Sequence, residues 1–288
     1  MLAIVGTVPD AGFPLVQGEA QLKEDALWVE GRSVEVNRGT PALAAAVLKA
    51  REVLGGPAPI AFLVGDEGIG CGSRRLYEHL VEHLGGLSIS CLVFHYLQPD
   101  VDGHNKVLFA VEAMETRPRL IADAGFMYAA KMSGFAPSYD LFTPDAGELA
   151  FLADEEAPHP FYTRGFILHQ EDRTLEHIAR AYAHDNAAEL LLVKGAQDRV
   201  ADRDGIRAKV DGPSEEAMEA IGGTGDTLTG LVAALAASGM DTVRAAEAAA
   251  RANRLAGSLA APTPATQILE IIRFIPRALE EVLGRCQK

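Results

Sequence analysis

"AIGGTGDTLTG", residues 220–230, sets Gly222, Gly223 and Gly225 around a single acid, Asp226, and runs straight into an apolar helical pattern. Glycines let a backbone turn sharply and come close to a ligand. The amides of Thr224 to Thr227 are then the unpaired donors of the helix that follows, and with its dipole they offer an anion hole. A carboxylate placed there is either an early-turn acid favoured by the dipole or a reagent facing whatever the amides hold. The stretch is neither a Walker loop, which needs Gly-Lys-Ser/Thr, nor a dinucleotide fingerprint.

Upstream of it, apolar runs of strand length end in Gly, Pro or Asp: "IAFLVGD" (60–66), "LSISCLVFHY" (87–96), "RLIADAG" (119–125), "YDLFTPD" (139–145) and "ELLLVKGAQD" (189–198). Continuous rather than alternating runs suit strands buried on both faces, as in a parallel sheet. Helical patterns lie between them, over 40–56, 73–86, 104–114 and 170–185. Repeated β-then-α units with right-handed crossovers predict a three-layer α/β/α fold around a mainly parallel sheet. From Thr224 the chain turns Ala-rich and helical, with helices to about Met240, over Asp241–Ala260 and over Gln267–Leu283. The expectation is one domain over 1–288, with strands in 1–36 at its periphery and the helices of 224–284 on the ligand side. "PHPFYTRGF" (158–166) reads as an irregular insertion.

Composition narrows the function. The chain has 288 residues, is 48% hydrophobic and carries a formal net charge of −14. With no basic run longer than two residues, a nucleic-acid footprint is not expected. No stretch approaches the roughly 20 apolar residues that span a bilayer. The opening "MLAIVGTVPDAG" lacks the basic start of a signal peptide. Three scattered cysteines do not make a disulfide framework. These features predict a soluble, cytoplasmic protein acting on a small molecule. The Ala-rich C-terminal helices suit a homo-oligomer interface as well as packing within one subunit.

Ligands of open α/β sheets bind beyond the carboxyl ends of the strands. Here those ends read "GDEGIGCG", "ADAG", "TPDAGE" and "KGAQD", small residues with an acid or a lysine in each. In "LFTPDAGELAFL" (141–152), Asp145 and Glu148 straddle a helix start. Two carboxylates so spaced can hold a hydrated Mg²⁺, or form a capping box that needs no ligand. Lys194, ending a strand before Gly195, is placed to meet a phosphate or to be solvated. "HLVEH" (79–83) matches the pattern of inverted zinc proteases, but an amphipathic helix face explains it. "HYLQPDVDGH" (95–104), with His95, Asp100, Asp102 and His104, could hold a metal or a substrate, but an ordinary polar loop explains it.

Taken together, these pieces resemble the ribokinase-like superfamily, and within it the ADP/ATP-dependent NAD(P)H-hydrate dehydratase family. "GGTGDTLTGLVAALAASG" looks like that family's Gly-Gly-Ser/Thr-Gly-Asp signature and helix, "LFTPDAGELAFL" its Leu-Thr-Pro-His-Pro-Gly-Glu segment, and "LLVKGAQD" its Val-Leu-Lys-Gly-Ala turn. Weaker likenesses, "RGTPALAAAVLKA" (38–50), "GDEGIGCGSRRLYEHL" (65–80) and "IADAG" (121–125), extend it over about residues 35–260 in the right order. The resemblance implies ATP or ADP and Mg²⁺ as cofactors and Asp226 as the catalytic base. It implies an anion hole at Gly223, Thr224 and Gly225, and nucleotide contacts at Lys194, Gly195, Ala196, Gln197, Asp198 and Gly225. Gly39, Gly65, Asp66, Asp123, Asp145 and Asp226 would border the substrate, and Glu148, with Asp145, would organise Mg²⁺ through water.

Three segments depart from the family. Asp145 stands where the family has histidine, Gly65–Gly70 replaces its Gly-Pro-Gly-Leu-Gly loop, and "DGPSEEAMEA" (211–220) replaces its Gly-Asn-x-Gly. The implied activity is phosphorylation-driven dehydration of a hydrated nicotinamide nucleotide. The alternatives are a kinase for a sugar, pyrimidine or thiazole alcohol, and a nucleotide-binding protein without turnover.

Overall fold

The first strand is the element whose place most differs from expectation. In the computed structural model, which describes residues 1–159 and 173–284, β1 (Leu2–Val8) lies near the middle of the main sheet, not at its periphery. It pairs in parallel with β6 (Ile60–Gly65) on one side and β7 (Cys91–His95) on the other. The cause is in its residues: every one of "LAIVGTV" is buried, and none is charged. An edge strand would leave a row of apolar side chains and backbone groups in water.

The other main-sheet strands are β2 (Val16–Glu19), β8 (Arg119–Ala122), β9 (Leu141–Phe142), β10 (Leu190–Val193), β11 (Asp198–Asp202) and β12 (Gly205–Val210). Their order is β12-β11-β10-β9-β8-β7-β1-β6-β2. The pairings from β6 across to β10 are parallel, whereas β2, β11 and β12 add antiparallel margins. A separate small sheet of β3 (Gln21–Lys23), β4 (Ala26–Val29) and β5 (Arg32–Glu35) does lie apart from it.

The helices are α1 (Gly39–Leu54), α2 (Cys71–His83), α3 (Val101–Glu112), α4 (Ala124–Met132), α5 (Ala146–Ala153), α6 (Thr174–Ala183), α7 (Thr224–Ala237), α8 (Thr242–Ala260), α9 (Ile268–Ile272) and α10 (Ile275–Val282). Strand side chains alternate between two cores: Leu2, Ile4 and Val8 face the layer of α1 and α7–α10, while Ala3 and Val5 face the layer of α2–α6. The result is the expected α/β/α sandwich with a mostly parallel sheet.

One expected helix is divided. The helix expected over Gln267–Leu283 is broken at Arg273 and Phe274, because Pro276 has no N–H to give and is accommodated in the first turn of a new helix, α10. The irregular insertion, from residue 160 onward, and the start of the helix expected from 170 lie outside the described residues. No helix among the described residues is long and apolar enough to cross a membrane.

One close approach fixes the site. A Cβ at Gly230 would sit 2.4 Å from the Leu43 carbonyl oxygen, so glycine there lets α7 lie directly on α1. Their N-termini, carrying Asp226 and Gly39, are thereby brought together.

Candidate active site

α7 begins at Gly223, whose φ of +102° and lack of a side chain leave the helix without a side-chain cap. Its first-turn amides therefore remain donors for an outside anion. Asp226 sits in that turn, 8% exposed. One carboxylate oxygen accepts the Gly39 amide at 2.5 Å, and the other accepts from His95 Nε2 at 3.1 Å. Burial alone would raise the Asp226 carboxyl, but His95, the Gly39 amide and Lys194 outweigh it and hold the group below its ordinary value. Asp226 is ionised at neutral pH.

His95 ends β7 and is fully buried. Its Nδ1 lies 3.1 Å from Thr40 Oγ1, in the first turn of α1. When the threonine hydroxyl donates to Nδ1, Nε2 carries the proton and donates to Asp226. Gly6 in β1 makes room for this pair, since a Cβ there would lie 2.4 Å from Thr40 Oγ1.

Beside them, Asp123 caps α4 by accepting from the Ala124 amide at 2.8 Å and receives two further groups, Lys194 Nζ at 3.0 Å and Thr229 Oγ1 at 2.7 Å. Lys194 also faces Glu148, at 3.9 Å. Burial would lower the lysine's pKa, but Asp123, Glu148 and Asp145 more than offset it and keep the ammonium charged. Asp145 and Glu148 close a capping box on each other's amides, each at 2.8 Å. Burial, reinforced by Asp123 and Asp145 and opposed by Lys194, pushes the Glu148 carboxyl above the ordinary carboxylate range.

The loop at Gly195–Asp198 is held from beneath. Arg254 of α8 donates to Asp198 at 2.7 Å and to the carbonyls of Gly195 and Ala196 at 2.8 and 2.9 Å. Its neighbour Asn253 accepts from Thr227 Oγ1 and donates to the Thr224 carbonyl, tying α8 to the first turn of α7.

These groups line one cavity of about 450 Å³ at the carboxyl ends of the parallel strands. Asp226, Asp123, Tyr96, Ala124, Ala196, Pro213 and Met218 are among the residues that line it. Glu215, Glu216 and Glu219 add carboxylates from the 211–220 segment. Its two strong cations, Lys194 and Arg254, are already paired with Asp123 and Asp198. Gly223, Thr224, Gly225 and Asp226, at the uncapped start of α7, line the same cavity.

Of the expected residues, Asp123, Asp145, Glu148, Lys194, Gly195, Ala196, Asp198, Gly223, Thr224, Gly225 and Asp226 line this cavity, and Gly39 abuts it through Asp226. Gln197 instead lines a smaller neighbouring hollow. Gly65 and Asp66 do not line the cavity. Asp66 turns back into its own loop, accepting from the amides of Gly68, Ile69, Gly70 and Ser73 and from Ser73 Oγ. The histidines of "HLVEH" stack on each other, and His79 bonds Gln17, so the helix is an ordinary surface one. His104 is buried against Tyr139.

Sequence reasoning gave Thr40, Tyr96, Asn253 and Arg254 no role, and favoured an ordinary polar loop for the stretch that holds His95. For His95 the signal was its place as the last residue of a buried strand, next to the turn where ligands of such sheets bind. Thr40, Asn253 and Arg254 carry no local signal, since their roles depend on partners far away in the chain.

A sequence profile of the NAD(P)H-hydrate dehydratase family matches residues 100–277. An uncharacterised protein of Methanocaldococcus jannaschii is 38% identical over 238 residues, which are 83% of this chain and 98% of that one. The ADP-dependent (S)-NAD(P)H-hydrate dehydratase of Cenarchaeum symbiosum is 30% identical over 155 residues, 54% of this chain and 48% of the relative. Among solved structures, a ribokinase-like superfamily protein of Enterococcus faecalis aligns with a TM-score of 0.60 at 16% identity, over 98% of this chain and 87% of that one. The ADP/ATP-dependent NAD(P)H-hydrate dehydratase of Bacillus subtilis, co-crystallised with ATP and Mg²⁺, aligns with a TM-score of 0.58 at 17% identity, over 98% and 89%. The fold is thus of the ribokinase-like class. The chain belongs to the NAD(P)H-hydrate dehydratase family.

Proposed function

We propose that this chain is an ATP- or ADP-dependent dehydratase acting on a hydrated nicotinamide nucleotide, with Asp226 as its base. The observation that carries the reading is Asp226 itself: a buried, ionised carboxylate, anchored by Gly39 and His95, beside the uncapped amides of α7. Family membership supports the choice of substrate.

The residues present fit an adenine nucleotide with Mg²⁺. The free amides of Thr224 to Asp226 suit a phosphoryl group, the Arg254-braced loop at Gly195–Asp198 offers a shelf for the nucleotide, and Glu148 would meet a hydrated Mg²⁺. Bound there, the nucleotide would supply the phosphoryl group that turns the hydrate's hydroxyl into a leaving group; loss of phosphate together with a proton from the adjacent ring carbon would restore the ring double bond. Asp226 orients that hydroxyl and accepts its proton, while the α7 amides balance negative charge without covalent help.

The test is to incubate the protein with hydrated NADH, Mg²⁺ and ATP or ADP, and to follow the near-ultraviolet absorbance of the dihydronicotinamide. Absorbance returns if the reading is right; no return with either nucleotide overturns it. A second reading, a small-molecule alcohol kinase, draws support from Asp145 in place of the family histidine and from the self-filled loop at Asp66. Phosphate transfer to a sugar, pyrimidine or thiazole alcohol, without recovery of NADH, would favour it.

A further inference from the structure

Tyr96 follows His95 at the end of β7 and adopts a φ of +55°, the left-handed region that a bulky side chain seldom enters. Backbone strain of this kind persists only where the surroundings over-determine it, and it clusters at ligand sites. Here the determinants are visible. Thr7 Oγ1 donates to the Tyr96 carbonyl at 2.7 Å. The next carbonyl, of Leu97, is packed so tightly against Gly125 that a Cβ there would lie 2.1 Å from its oxygen. Ala124, before that glycine, is itself at φ +50°. Two neighbouring strand ends thus hold each other in strained conformations on one wall of the cavity.

The strain sets the position of a ring. The Tyr96 ring meets His95 edge-on, with centroids 4.4 Å apart and planes at 88°, and it passes 3.8 Å from where a Gly39 Cβ would be. His95 and Gly39 are the two groups that hold Asp226. The side chain nonetheless remains 48% exposed, and it lines the cavity. A large aromatic surface is therefore kept in water, at a backbone cost, next to the base.

We propose that Tyr96 is a specificity-determining residue, a stacking platform for a flat, conjugated heterocycle whose hydroxyl-bearing precursor is presented to Asp226. The inference rests on the proposed function for its choice of ring, a dihydropyridine. Sequence-tolerant stacking on an aromatic face explains why the wall offers a ring instead of hydrogen-bond donors.

The probe is reduced nicotinamide mononucleotide, which carries the product ring without adenine. Its fluorescence reports binding whether or not the protein turns over. With the wild type and Tyr96→Phe, affinities should agree within about twofold. Tyr96→Leu, which keeps bulk and loses the ring face, should weaken binding on the order of tenfold or more. Affinity for a non-hydrolysable ATP analogue should be unchanged in both variants, and this also reports that they are folded. Ribose should not displace the probe. Equal binding by Tyr96→Leu, or no binding by the wild type, overturns the platform. Tyr96-dependent binding without recovery of NADH from its hydrate would sink the proposed activity and leave the platform standing.

Discussion

His95 Nε2 lies 3.1 Å from Asp226 Oδ1 although the two residues are 131 positions apart, and Thr40 Oγ1 lies 3.1 Å from the other ring nitrogen. With the Thr40 hydroxyl donating to Nδ1, the imidazole proton sits on Nε2 and points at Asp226. His95→Asn should lower kcat by roughly tenfold to a hundredfold, the scale of losing alignment at a reacting group. It should also move the acid limb of the pH profile. Asp226 is held below its ordinary pKa in part by His95, so removing that donor raises the pKa. The acid limb of kcat/KM then shifts to higher pH, and rate measurements from pH 4 upward would show it. A histidine with a purely structural role would lower stability and leave the limb where it was.

Asp226→Asn keeps the shape and removes the base. Turnover should fall by roughly 10²–10⁴-fold. Affinity for a non-hydrolysable nucleotide, read by calorimetry, should change little, because the amides of Thr224 and Gly225 remain. Retained turnover would remove Asp226 from the mechanism.

Lys194 and Asp123 form a buried pair at 3.0 Å, with side chains 15% and 2% exposed. Lys194→Met leaves two carboxylates facing each other without a cation and should cost about 3–5 kcal/mol of stability. Adding Asp123→Asn should recover part of that loss, since the two sites share one interaction. Denaturant titration of the three variants measures it; strict additivity would contradict the pairing.

Gly223→Ala tests the anion end. Its φ of +102° and the Ile268 Cγ1 atom 2.9 Å from the built Cβ both oppose a side chain. The variant should lose more than about 1 kcal/mol of stability and bind nucleotide less tightly. Thermal melts with and without ATP analogue separate the two effects.

Asp66→Ala removes an acceptor from four amides and a hydroxyl of one loop. Stability should fall by about 1–3 kcal/mol as those donors lose their partner. The hydrogen bonds outweigh burial and hold the Asp66 carboxyl below its ordinary value. Its contribution is therefore present above that ordinary value and lost as pH falls through the lowered folded one. KM for substrate should stay within a few-fold, because Asp66 does not line the cavity.

The sequence made the glycine-led helix and the strand-end chemistry legible because both are local. Gly223 to Asp226 is a contiguous signal, and Lys194 and Glu148 follow strands that their own composition announces. Asp66 shows the limit of a local signal: a carboxylate in a Gly-rich turn looks open to a ligand, yet its own amides close on it. His95 and Thr40 could not be paired from the sequence, since their meeting depends on Gly6, in a strand expected at the edge. Arg254, deep in an Ala-rich helix, gave no sign that it braces a loop some fifty-six residues earlier.

The central position of β1 bears on how the sheet closes. A middle strand is paired on both sides by β6 and β7, which lie far along the chain from it, so the centre of the sheet forms only through long-range contacts, the slow kind in folding.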